Sequence, residues 1–137
     1  MNTPITVEVT VNAPLKTVWD AWNNPQHIPH WAFADDSWGA KDVENDLKTG
    51  GKFKTHMFDK KSGEGFDFEG VYTNIEEHKL IEYAMDDGRT VKIAFEQTPK
   101  GVKIIQTFDP EQENPEEMQR AGWQAILNNF KKYTEAL

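Results

Sequence analysis

Four histidines raise the first question of chemistry, because an imidazole titrates near neutral pH and can carry a proton or hold a metal. His27 and His30 stand three apart beside Pro29, a spacing that can bring two ring nitrogens together. A metal centre needs a third and preferably a fourth ligand. Asp35 and Asp36 are near in sequence, but no HExxH-like order arranges them, so no metal is expected and the pair reads as a surface turn. His56 lies within "KFKTHMF" and would serve as a general acid–base if it faced inward. Phe53, Thr55 and Met57 make the more apolar set there, so His56 is expected on the solvent face beside Lys54, a weak catalytic candidate. His78 falls in a hairpin turn and is expected in solvent.

The carboxylates are mostly explained by turns and outer strand faces. Asp86-Asp87-Gly88 has hairpin chemistry, and Asp46 is expected to hydrogen-bond the Gly50-Gly51 turn. Asp67 and Glu69 alternate with Phe66 and Phe68, which fits an outward face. No Ser-His-Asp order, phosphate-cradling glycine loop or dinucleotide fingerprint occurs, and no cofactor is expected. With no cysteine, disulfides and thiol chemistry are excluded. Thr55, Tyr72 and Tyr83 are the polar groups that could orient a molecule inside a pocket.

The elements that must carry these residues follow from periodicity. "ITVEVTV" alternates strictly with β-branched residues and reads as a half-buried strand. "NAPLKTVWDAWNN" has Asn12 as a cap, Pro14 in the first turn, and Leu15, Val18, Trp19 and Trp22 at helical spacing. Pro25 and Pro29 leave room only for a short second turn, and Trp31 to Gly39 reads as a loop. From Lys41 the period is two, with short turns at "KTGG", "DKKSGEG", "EEHK", "DDGR" and "TPKG". With the first strand this makes about seven strands in an antiparallel meander, and Gly70 marks a bulge or a close backbone approach. Asn114, Pro115 and Glu117 then give a box-like start to a helix of about 20 residues. Trp123, Ile126, Phe130, Tyr133 and Leu137 form its apolar stripe, with Leu127 flanking. Gly122 inside this helix costs about 1 kcal/mol against alanine and is read as allowing close approach to the sheet.

The 137 residues are expected to form a single domain spanning 1–137, with one core. A formal charge of −8 argues against nucleic acid and anionic membranes, and no apolar stretch approaches the length of a bilayer span. The N-terminus shows no signal-peptide pattern, so a soluble, cytoplasmic protein is expected. Five tryptophans and eight phenylalanines are a surplus in so hydrophilic a chain, and such rings either thicken a core or line a cavity. Trp19 and Trp22 read as core. Trp31, Phe33 and Trp38 either line a cavity mouth or cap the end of the sheet, and Trp123, Leu127 and Phe130 are core or cavity wall.

"VNAPLKTVWDAWNNPQHIPHW" resembles the opening signature of the SRPBCC superfamily (START and Bet v 1-like) in its AHSA1-like branch, on Ala13-Pro14, Val18-Trp19, Pro25, Ile28 and Trp31. "DLKTGGKF" is similar to the branch's Asp-Leu-Arg-x-Gly-Gly turn, with Lys48 in place of the usual arginine. "GVYTNIEEHKLIEY" resembles its central hairpin and "GWQAILNNF" its closing Gly-Trp-x-x-x-Leu. The resemblance implies an α+β helix-grip fold, a curved antiparallel sheet wrapped around a long C-terminal helix, with two short helices after the first strand. It also implies a cavity between sheet and helix, in a superfamily whose members bind lipids, sterols or polyketide-like molecules. The branch is named for an activator of the Hsp90 ATPase, a co-chaperone with a further N-terminal domain that these residues do not supply, so that function does not carry over with the resemblance.

The leading expectation is therefore a non-enzymatic protein that binds a small hydrophobic molecule. Met57, Phe68, Met85, Phe95 and the helix stripe would wall the pocket, with Trp31, Phe33 and Trp38 at its mouth and Thr55 or Tyr83 orienting a polar group. The alternatives are a cyclase- or hydrolase-like enzyme on an apolar substrate, and a chaperone-associated interaction module. A protein partner has no support in the sequence, and the oligomeric state leaves no signature in it.

Overall fold

The computed structural model describes residues 3–137. Seven strands form one antiparallel sheet: β1 (Ile5–Val11), β2 (Trp38–Asn45), β3 (Lys52–Asp59), β4 (Gly65–Glu76), β5 (Leu80–Ala84), β6 (Thr90–Thr98) and β7 (Gly101–Phe108). Strands β2 to β7 meander, and β1 adds beside β7, giving the order β1-β7-β6-β5-β4-β3-β2. The first two strands in sequence therefore lie at opposite edges. The segment between them, helix α1 (Leu15–Asn23) and a 3-10 turn (Ile28–His30), crosses the end of the curled sheet. Helix α2 (Glu116–Glu135) follows β7. This is the α+β helix-grip architecture.

Alternation decides which side chains meet the helix. On β7, Val102, Ile104, Gln106 and Phe108 are buried, and on β6 Val91, Ile93 and Phe95 are. Ile81 and Tyr83 continue the inner face on β5, and Ile5, Val7 and Val11 on β1. Helix α2 meets that face through Leu127 and Phe130, both wholly buried. It also seals the free edge of β1. Arg120 Nη1, Gln124 Nε2 and Lys131 Nζ donate to the carbonyls of Thr6, Glu8 and Thr10 at 2.9, 3.0 and 2.6 Å. An edge strand whose carbonyls are taken by helix side chains offers less to a second chain.

Several local expectations are corrected. Strand β2 begins at Trp38, so the aromatic loop is shorter than its aperiodic sequence implies. Neither asparagine caps a helix. Pro14 and Pro115 occupy the cap positions without a side-chain bond, and the backbone N–H of Asn12 donates instead to Glu135 at 2.8 Å. At the start of α2, buried Gln119 reaches back one turn, its amide donating to the carbonyls of Asn114 (2.8 Å) and Glu111 (3.1 Å). It organises a turn that the proline cannot cap. Asp46 acts on the glycine turn through its carbonyl, which accepts from the Lys48 N–H at 2.9 Å, and its carboxylate lies 3.7 Å from Lys48 Nζ.

The glycines divide. A Cβ on Gly70 would lie 2.8 Å from the Ala84 carbonyl and 3.0 Å from the Phe53 ring, so Gly70 is a close approach. A Cβ on Gly122 would meet nothing within 4 Å, so close packing does not explain that residue. Gly122→Ala should therefore raise stability by about 0.5–1 kcal/mol, since it removes only the entropic penalty of a helical glycine. Urea melts of the two proteins check this, and a destabilised alanine variant would show that the position needs its glycine after all.

Candidate functional site

Between the sheet and α2 lies a cavity of about 260 Å³, just below the usual ~300–1,000 Å³ of small-molecule sites. Trp22, Asn23, Ile28, Trp31 and Ala32 close one end; Val43, Glu44 and Asn45 come from β2, and Phe53, Thr55 and Met57 from β3. Phe66, Phe68 and Tyr72 come from β4, Ile81 and Tyr83 from β5, Ile93 from β6, Gln106 from β7, and Trp123 and Ile126 from α2. The void has a structural cause. Hydrogen bonds hold α2 along the β1 edge, while β3 and β4 stand across from it and reach it through large rings. Phe68 meets Trp123 edge-on at 6.3 Å and Phe53 meets Tyr83 at 4.7 Å; rings in such contacts span a gap without filling it.

Of the twelve side chains the sequence nominates for the pocket, Trp31, Thr55, Met57, Phe68, Tyr83 and Trp123 are on its wall. Trp31 is fixed by its indole N–H, which donates to the Ala21 carbonyl at 2.9 Å, and by Asn129, which donates to the Trp31 carbonyl at 3.0 Å. Trp123 stacks flat on Phe108 with centroids 4.0 Å apart. The other six lie elsewhere. Phe95 is core, edge-on to Trp19 and Trp22 at 5.2 and 5.9 Å. Leu127 and Phe130 are core as well, because they sit on the side of α2 that touches the sheet and α1. Met85 lies past the end of β5, in the turn before β6, and packs on the core from there. Phe33 is outside under the Lys60 ammonium at 5.8 Å, and Trp38 meets Phe66 edge-on at 6.2 Å without reaching the cavity.

Trp22, which reads as core in sequence, is on the wall, and so are Tyr72, Asn45 and Gln106. Tyr72 donates to Asn45 Oδ1 at 2.5 Å, Asn45 Nδ2 to the Asn23 carbonyl at 2.7 Å, and Asn23 Nδ2 to the Trp19 carbonyl at 2.9 Å. This chain pins α1 to β2 and β4. Gln106 carried a signal that sequence reading passes over: it is the polar member of the inward series Val102, Ile104, Gln106, Phe108.

The histidines stay out of the cavity. His56 faces outward, with Nδ1 2.9 Å from Asp67 and its ring over Phe58. His27 Nδ1 bonds the Tyr133 hydroxyl at 2.6 Å, its Nε2 lies 3.4 Å from Asp20, and His30 stacks on Tyr133 at 5.5 Å. His78 is half-buried, against the expectation of a solvent position, because its ring rests edge-on against Trp19 at 5.7 Å. Among the described residues no cluster of three or more His, Asp or Glu is placed to hold a metal, and no helix is long and apolar enough to cross a membrane.

Burial holds the Tyr83 phenol well above its ordinary value, with further push from Tyr72. Burial does the same to Tyr72, against the opposing effect of its bond to Asn45. Both therefore stay protonated when folded at a pH where an unfolded tyrosine, with a pKa of about 10, ionises. The unfolded state then binds fewer protons, so stability present below pH ~10 is lost as pH rises above it, at up to about 1.4 kcal/mol per pH unit for each group. Denaturation series from pH 8 to 11 should show this fall, and Tyr83→Phe should make it shallower; an unchanged slope would mean that Tyr83 is not responsible.

The family described as "Activator of Hsp90 ATPase homolog 1-like protein" matches residues 12–135. An AHSA1-like protein from Aeromonas hydrophila is 40% identical, with a TM-score of 0.91 over 98% of this chain and 93% of that one. A protein from Cytophaga hutchinsonii is 50% identical, with a TM-score of 0.84 over 97% and 92%. One from Nitrosomonas europaea shares the fold at 20% identity and a TM-score of 0.84, over 97% and 94%. No curated protein matches the chain. From the opening "NAPLKTVW" to the closing helix, the chain belongs to the AHSA1-like family of the SRPBCC superfamily.

Proposed function

We propose that this protein binds a small, predominantly apolar molecule in the cavity between its sheet and α2. The carrying observation is the cavity itself, lined by Trp22, Trp31, Phe53, Phe68 and Trp123, where a domain of this size could have packed solid. Binding is favoured over proton transfer by what surrounds that space. His56 is on the opposite face of β3, Glu44 is exposed at the rim, and Tyr72 and Tyr83 are held protonated by burial. A docking role for a protein partner has less support, since the large exposed apolar side chains among the described residues are dispersed. Phe66 stands at the cavity, while Met118 and Leu137 lie at opposite ends of α2. Native mass spectrometry of the purified protein should show a non-covalent mass increment that disappears on denaturation, and extraction should identify it. A protein that carries no increment, and whose cavity-wall amides shift with no apolar probe, would sink the reading.

A further inference from the structure

Three polar side chains on the cavity wall have no hydrogen-bond partner among the described residues: Gln106, Tyr83 and Thr55, exposed by only 6%, 6% and 8%. A polar atom that faces a cavity without a partner in the protein is free to pair with a group that a bound molecule brings. Their neighbours show that pairing was available in this fold, because Tyr72, Asn45 and Asn23 satisfy one another nearby. The three come from alternate strands β7, β5 and β3, so they are spread around the curved wall and do not pair with each other. Their polar atoms open onto the cavity, unlike the hydroxyl of Thr134, which is unpartnered and wholly enclosed.

We infer that the ligand is a non-anionic, predominantly apolar molecule bearing a hydroxyl or amide group that the Gln106 carboxamide recognises. This rests on the cavity-binding reading and deepens it. A carboxamide presents both N–H donors and a carbonyl acceptor, so it matches a group that accepts and donates at once. Negative charge is disfavoured by the wall. Among the described residues no Lys, Arg or His lines the cavity, so a buried carboxylate would have no counter-charge, and the rim residue Glu44 would repel its approach. Gln106 is thus a specificity-determining residue: without it the site would take any apolar body of the right size.

Three probes that share one ring system separate the cases: naphthalene, 2-naphthol and 2-naphthoate at pH 7, titrated against 15N-labelled protein. The expected result is about tenfold tighter binding of 2-naphthol than of naphthalene, with naphthoate the weakest. Gln106→Met keeps the side chain's size and removes its hydrogen bonds. It should melt no lower than the parent and bring the two neutral probes within about twofold of each other, close to no residual hydrogen-bond preference. Gln106→Leu, read in the same way, stands in if the methionine variant folds poorly. Equal binding of naphthol and naphthalene by the parent protein would overturn the inference, as would a naphthol preference that survives in the variants or naphthoate binding as tight as naphthol. If none of the three shifts the cavity-wall amides, the cavity-binding reading falls and this inference with it.

Discussion

Phe130→Ala is expected to lower the unfolding free energy by about 3–5 kcal/mol, the cost of removing a wholly buried phenylalanine and leaving a hole behind. Phe130 is 0% exposed and is met edge-on by Trp22 at 4.9 Å and Trp31 at 4.8 Å. Its loss would remove an apolar contact that joins α2 to Trp22 of α1 and to Trp31 after the 3-10 turn. Trp123→Ala provides the contrast. Trp123 is larger, but it is half-buried and one side opens on the cavity, so its truncation should cost only about 2 kcal/mol, mainly the stacking on Phe108 and the area lost there. Urea denaturation of both variants at pH 7 gives the comparison. A Trp123 cost equal to or above that of Phe130 would mean that Trp123 is the plug of the core and that the cavity is not truly open beside it.

The second large effect is on binding. Ile126→Trp places an indole where the α2 wall faces the void, and should reduce affinity for naphthalene, or for any molecule retained on purification, by at least tenfold, about 1.4 kcal/mol or more. The fold should tolerate the change because the added atoms enter empty space, so its cost in stability should stay below that of ordinary overpacking, ~1–3 kcal/mol. A variant that is folded by its amide spectrum and binds undiminished would place the binding site elsewhere on the protein. Loss of binding with stability retained separates blockage from unfolding.

Much of this architecture is legible in one dimension because it depends on local rules. The alternation in "ITVEVTV" and "VKIIQTF", the short turns, and the stripe from Trp123 to Tyr133 each declare an element and its buried face. The outward position of His56 follows from the same alternation, because Phe53, Thr55 and Met57 take the other face of β3. The helix starts were less legible. Asn12 and Asn114 have the chemistry of caps, yet tertiary partners were stronger: Glu135 takes the Asn12 N–H, and Gln119 arranges the backbone before α2. The same limit applies to the pocket. Trp31, Thr55, Met57, Phe68, Tyr83 and Trp123 are on its wall, but Phe95, Leu127 and Phe130 carry the same periodicity and are core.

By itself the sequence determined the fold class, the order of elements and which face of each strand and helix is apolar, because those properties depend on neighbours within a few residues. Only the tertiary structure decided which apolar side chains touch each other and which face a gap. That depends on where α2 rests along β1 and how far β3 and β4 curl away from it, distances set by side chains more than a hundred residues apart, as in the bonds from Arg120 to Thr6 and Gln124 to Glu8. Trp123 illustrates the division: its spacing placed it on the buried stripe, and its stacking on Phe108 made it a wall of the cavity and not a plug.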